Sequence, residues 1–149
     1  MSRSERLDAP RAPQVEPAFS WPVRVYFEDT DSGGVVYYAN YLKFLERART
    51  EWLRALGHDQ RDLAAREGVI FVVRSVAIEF IRPSRIDDNL QVTVEPVKVG
   101  AGQIRVVQEV RRGAETLASA EIRLACVNAA TFRPVRIPKA IVIRTGTAS

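Results

Sequence analysis

Tyr26-Phe27-Glu28-Asp29-Thr30-Asp31-Ser32-Gly33-Gly34-Val35-Val36-Tyr37-Tyr38-Ala39-Asn40-Tyr41 is the stretch on which the reading of this chain turns. Before it the residues alternate. After it they recur at helical spacing. Between the two lie acids, hydroxyls and two adjacent glycines, a composition that ends a strand and opens a loop. The stretch therefore joins a strand to the start of a helix, with carboxylates held in the junction.

Upstream, Trp21-Pro22-Val23-Arg24-Val25-Tyr26-Phe27 is rich in β-branched and aromatic residues and reads as a strand, with Pro22 near its start. Downstream, Leu42, Leu45, Trp52, Leu53 and Leu56 mark one stripe of a helix over residues 39–56, charged residues fill its other faces, and Gly57 suits its C-terminal cap. Residues 62–67 suit one or two further helical turns. The remainder alternates as strands over 69–81, 89–99, 104–111 and 116–127, with Val76, Ile78 and Phe80 sharing one face. Arg82-Pro83-Ser84-Arg85 stops the first of these strands. Gly100-Ala101-Gly102 and Arg112-Gly113-Ala114 turn the next two, and the proline-punctuated tail from Arg133 to Pro138 closes the domain. One long helix with an antiparallel sheet predicts a two-layer α+β domain whose sheet curls around the helix. Its outer face and edges favour self-association.

The chain has 149 residues, enough for one core and not for two. Residues 1–18 hold three prolines, several charges and no periodic apolar pattern, and are expected to form a flexible arm ahead of a single domain over 19–149. No apolar run approaches the ~20 residues of a membrane span, and the N-terminus lacks the apolar core of a secretory signal. A single cysteine, Cys126, cannot close an internal disulfide. These features place the protein in the cytoplasm by expectation. The net charge of +4 and the pI of about 9.6 favour anionic partners. The basic residues are scattered rather than run together, which argues against nucleic acid.

The junction has chemical potential. A helix N-terminus carries unsatisfied backbone N–H groups and a partial positive charge, so it can polarise a carbonyl or hold an oxyanion. A carboxylate opposite it can attack that carbonyl or activate water. The same residues also suit a turn and a helix cap, and spacing alone favours that plainer role. Nor does spacing choose between Asp29 and Asp31, because residues two apart share a face in extended chain.

Residues 23–57 resemble the 4-hydroxybenzoyl-CoA thioesterase family, and within it the Tol–Pal-associated acyl-CoA thioesterase branch. The matching features are Val23-Arg24-Val25-Tyr26-Phe27-Glu28-Asp29-Thr30-Asp31, Gly33-Gly34-Val35-Val36-Tyr37, Ala39-Asn40-Tyr41 and Glu46-Arg47-Ala48-Arg49-Thr50-Glu51. Residues 80–88 and 134–138 join them, so the resemblance spans roughly 21–139. It implies a hotdog fold, an antiparallel sheet wrapped around one central helix, and protomers that pair into dimers and then a homotetramer with sites at the interface. It implies hydrolysis of a short-chain or aromatic acyl-CoA. The catalytic carboxylate falls on Asp31, as nucleophile or general base, and the carbonyl-polarising backbone N–H falls on Tyr38. The branch usually carries His at the position of Tyr38, and the hydroxybenzoyl-specific enzymes carry Tyr there. A backbone donor survives that change, whereas a side-chain acid–base role does not, since a phenol is almost wholly neutral at pH 7.

No metal or redox cofactor is implied, CoA being part of the substrate. Its phosphates call for basic residues. Arg82, Arg85 and Lys98 are the candidates, with Gly34 and Val35 of the loop as further substrate-binding positions. The basic cluster that the family carries near the third-to-fourth strand turn has no evident counterpart in Val99-Gly100-Ala101-Gly102. A dehydratase or hydratase on the same fold would need a histidine in the loop, which has none. The rival outside catalysis is a scaffold that grips acyl-CoA or an acidic acyl carrier protein at an envelope complex, which the basic pI suits. The only histidine, His58, follows the long helix and is expected to interact with its C-terminus. Cys126 is expected in the core.

Overall fold

The computed structural model describes residues 19–145; the arm expected over 1–18 and the last four residues lie outside the described residues. The sequence periods yield, in chain order, β1 (Phe19–Arg24), α1 (Ala39–Ala55), α2 (Gln60–Glu67), β2 (Val69–Phe80), β3 (Asn89–Val99), β4 (Gln103–Arg112) and β5 (Glu115–Asn128). The five strands form one antiparallel sheet in the order β1-β3-β4-β5-β2.

α1 buries Tyr41, Phe44, Leu45, Ala48, Arg49, Trp52 and Leu53, and lies against β3, β1 and β4. Complete burial of side chains such as Phe44 or Leu45 stabilises the fold by about 1.5–3 kcal/mol each. The helix ends as Gly57 predicts. With φ +92°, Gly57 donates its N–H to the Arg54 carbonyl at 2.9 Å, and His58 donates its backbone N–H to the Leu53 carbonyl at 2.8 Å. His58 thus closes the helix through its main chain. Its ring does not take the expected part, because the buried Nδ1 has no partner among the described residues. α2 is longer than expected at its start, because the Asp59 side chain caps it by accepting the Arg61 N–H at 2.8 Å.

β1 is shorter than the alternation predicts. The Tyr26 N–H donates to Asp29 Oδ2 at 2.8 Å, and Phe27–Asp29 wind into a 3-10 turn. The apolar period of Tyr26 and Phe27 is therefore spent outside the sheet.

In β2 the register slips at Arg74: Val73 stands opposite Leu124 and Ser75 opposite Arg123. This bulge changes which alternate residues face inward. Phe71 pairs with Cys126 before it, and Val76, Ile78 and Phe80 pair with Ile122, Ala120 and Ala118 after it, so both apolar sets lie on the helix side. Because α1 lies over β1, β3 and β4 rather than over β2, Val76 and Phe80 remain 38% and 45% exposed. β2 is also an edge strand.

The tail folds back over the β3–β4 turn, with Val135 N–H donating to the Cys126 carbonyl at 3.0 Å and Ile137 N–H to the Ala101 carbonyl at 2.7 Å. Gly102 permits that approach, since a Cβ there would stand 2.9 Å from the Val135 carbonyl oxygen. Cys126 is fully buried as expected, and burial pushes its thiol pKa up.

Candidate active site

The loop between β1 and α1 is built around a small hairpin. Asp31 N–H donates to the Val35 carbonyl at 2.8 Å, and Gly34 N–H donates to the Asp31 carbonyl at 3.0 Å. Thr30 bridges to Val36 outside it. Ser32 and Gly33 make the turn, and Gly34, at φ +81°, takes the left-handed position that such a three-residue loop requires. The adjacent glycines are thus explained by backbone geometry.

The two acids, equivalent by spacing, are distinct in space. The Asp29 carboxylate is turned back onto the Tyr26 N–H, and its carbonyl accepts from Tyr37 N–H at 3.1 Å and from Asn40 Nδ2 at 2.9 Å. Asp29 is therefore the loop's internal fastener. The Asp31 side chain is exposed and accepts one bond through Oδ1, from the Gly33 N–H at 2.8 Å. Its Oδ2 has no partner among the described residues.

Tyr38 precedes α1 in helical conformation (φ −61°, ψ −24°), and no side chain caps the helix start. The Tyr38 N–H has no acceptor among the described residues, so the positive end of α1 is open to a ligand. The Tyr38 ring stacks on Tyr37 with centroids 5.1 Å apart and meets Phe80 edge-on at 5.6 Å. Phe80 in turn lies 5.5 Å from the Tyr41 ring. The Tyr38, Tyr41 and Phe80 rings, with Val36, Ile81, Arg82 and Pro83, line an open apolar cleft of about 380 Å³. In the sequence Tyr41 stands in the family-like motif and Phe80 on an alternating strand face, neither as a site residue; their part in the cleft depends on β2 reaching the helix start.

The basic candidates separate. Arg82 flanks the cleft and pairs with Glu115 at 3.1 Å. Arg85 takes part in the backbone bridge to Val35, which brings Val35 and Gly34 beside the 82–88 connection. Lys98 lies elsewhere, at the β3–β4 turn, in a second cleft of about 450 Å³ shared with Arg105 and Arg123. Three cations thus gather beside a turn that itself carries none. The cations come from neighbouring strands rather than from the turn itself, with Arg105 opposite Arg123 in the β4–β5 register and ion-paired to Glu121 at 2.9 Å. Outward alternation on β4 and β5 was the available signal, but their register was not.

Residues 25–144, nearly all of the described chain, match the thioesterase-like superfamily. The chain belongs to that superfamily. Among relatives within it, the acyl-CoA thioesterase YbgC of Haemophilus influenzae is 42% identical over 127 residues, covering 85% of this chain and 93% of its own. The acyl-CoA thioester hydrolase YbgC of an Escherichia coli strain is 44% identical over 125 residues, covering 83% and 92%. A crystal structure of a probable thioesterase from Bartonella henselae superposes with a TM-score of 0.77 at 38% identity, covering 81% of this chain and all of that one. The fold is the hotdog fold of this superfamily, as the resemblance implied.

Proposed function

We propose that this protein hydrolyses the thioester of an acyl-CoA, with Asp31 as nucleophile or general base and the Tyr38 N–H as donor to the oxyanion. The observation that carries the reading is the pairing, in one short loop, of a carboxylate oxygen without a protein partner and an uncapped helix start. Its relatives named as acyl-CoA thioesterases support it.

The thioester carbonyl oxygen accepts from Tyr38 N–H, which stabilises the negative charge that develops as the carbonyl carbon becomes tetrahedral. One such donor contributes about 10²–10³ in rate. Asp31 either bonds to the carbonyl carbon, expelling CoA thiolate and leaving a mixed anhydride that water cleaves, or takes a proton from the water that attacks. Both routes give the free acid and CoA thiol. The acyl group occupies the cleft of Val36, Tyr38, Tyr41 and Phe80, whose rings and size suit a short-chain or aromatic group. Gly34 and Val35 flank the reacting carbon. Arg82 and Arg85 on the 82–88 connection, or Lys98 with Arg105 and Arg123 at the β3–β4 turn, meet the CoA phosphates.

The long, apolar edge of β2 and its exposed inner residues favour a second copy alongside it. This supports a dimer, pairing into a tetramer, that encloses the cleft.

The test follows released thiol from a panel of aliphatic and aromatic acyl-CoAs with wild type and Asp31→Asn. Asparagine retains the oxygen that accepts the Gly33 N–H, so the loop persists while the base is lost. The expected loss of kcat is about 10²–10⁴-fold with CoA binding retained. If neither protein hydrolyses any member yet both bind acyl-CoA or acyl carrier protein, the molecule is a binding scaffold.

A further inference from the structure

The Asp31 hairpin is tied to the 82–88 connection at Ser84 and its neighbour Arg85. Ser84 is fully buried, and Tyr41 is 3% exposed. Tyr41 Oη lies 2.6 Å from Ser84 Oγ and also accepts the Ser84 N–H at 3.1 Å. The Ser84 carbonyl accepts the Val36 N–H at 2.8 Å, and next to it Val35 bridges to Arg85. Val35 in turn holds Asp31 through the bond from its N–H.

The other side of Ser84 is firmly seated. Ile81 and Arg82 donate N–H groups to the Leu117 carbonyl, Asp87 donates to Val25, and Val25 donates to Asp88. Arg85 N–H is held by the Asp88 carboxylate at 2.8 Å, which also accepts from Arg112 Nη1 at 2.8 Å. Ser84 thus joins three parts: the first turn of α1 through Tyr41, the loop of Asp31 through Val36, and the connection that walls the cleft.

We propose that Tyr41 and Ser84 are positioning residues that fix the Asp31 loop and the helix start against the cleft. Two buried hydroxyls satisfying one another would serve stability alone. Here the same pair ties the segment that carries the reacting groups to the connection that supplies part of the acyl wall, so its loss shifts one against the other. The inference rests on the reading of Asp31 as the catalytic carboxylate. A small misplacement of reacting groups costs as much as about 10²-fold in rate, and it acts on turnover more than on substrate affinity.

The experiment measures kcat and KM for acyl-CoA hydrolysis by full-length wild type, Tyr41→Phe, Ser84→Ala, the double variant and Asp31→Asn, with thermal melts of each. Gln108→Leu, in the core away from the loop, controls for general loosening. The expected result is a fall in kcat of about ten- to a hundredfold for each single variant. KM should stay within about twofold, the double variant should be no worse than the poorer single one, and Gln108→Leu should keep its kcat. If Tyr41→Phe does not fold, Ser84→Ala carries the comparison. Wild-type kcat in both single variants, beside an inactive Asp31→Asn, overturns the positioning role and leaves the catalytic reading standing. An equal loss of kcat in Gln108→Leu also overturns it. Full activity of Asp31→Asn overturns both.

Discussion

Gln108 and Arg49 form a polar pair inside an apolar core, and removing either one alone should cost more than removing both. Gln108 is fully buried and Arg49 is 9% exposed. Gln108 Oε1 accepts from Arg49 Nη1 at 2.8 Å, and its Nε2 donates to the Leu45 carbonyl at 3.1 Å. Burial pulls the Arg49 guanidinium below its ordinary pKa, with Glu46 opposing, so the cation is held at a desolvation cost. Gln108→Leu deprives a buried cation of its acceptor, a loss of about 1.5–3 kcal/mol. Arg49→Met strands the Gln108 oxygen at a cost of about 1–3 kcal/mol. Replacing both with apolar residues of similar size removes the need for either bond and is close to neutral.

For a chain of this size each kcal/mol moves the melting temperature by about 2–4 °C. Gln108→Leu should therefore melt about 3–12 °C below wild type, and the double variant within about 3 °C of it. Calorimetry at one fixed protein concentration reads all four proteins, since self-association makes the midpoint concentration-dependent. A double variant that falls by the sum of the two singles would refute the coupling.

Three further outcomes follow from the same structure. Asp59→Ala should lower the melting temperature at neutral pH. The folded Asp59 carboxylate is held below its usual pKa by the Arg61 N–H and by Arg54, against desolvation, so its contribution is present above the ordinary carboxylate value and lost as pH falls through the depressed one. The melts of variant and wild type should accordingly converge in acid, and a gap that stays constant there would sink the assignment. Gly102→Ala should destabilise by about 1–3 kcal/mol in urea titrations, because its new Cβ meets the Val135 carbonyl oxygen at 2.9 Å; an unchanged midpoint would mean the tail gives way freely. Cys126, buried and with its pKa raised by desolvation, should react with a thiol reagent only when the chain is unfolded, and rapid labelling of the native protein would contradict its place in the core.

Much of this molecule is written along the chain. The change of period at residues 26–41 separates strand, loop and helix. Gly57 ends the helix, and the alternation of Ile104, Val106, Gln108 and Val110 gives β4 its inner face. These features depend on neighbours in sequence, so the sequence suffices to read them. The family resemblance added the hotdog wrapping, which no local pattern contains.

What tertiary structure decided concerns groups that meet across the fold. Asp29 and Asp31 are equivalent by spacing; only the folded loop turns one carboxylate inward onto Tyr26 N–H and leaves an oxygen of the other without a partner. The β2 bulge at Arg74 sets which residues face α1, and it is defined by pairing with β5. Phe80 comes to Tyr38, Ser84 to Tyr41, and Arg105 to Arg123 and Lys98 only once strands far apart in sequence are in register. Periodicity reports which face of an element is apolar, whereas a site is made of side chains from several elements, and their relative placement is set by long-range packing and strand register.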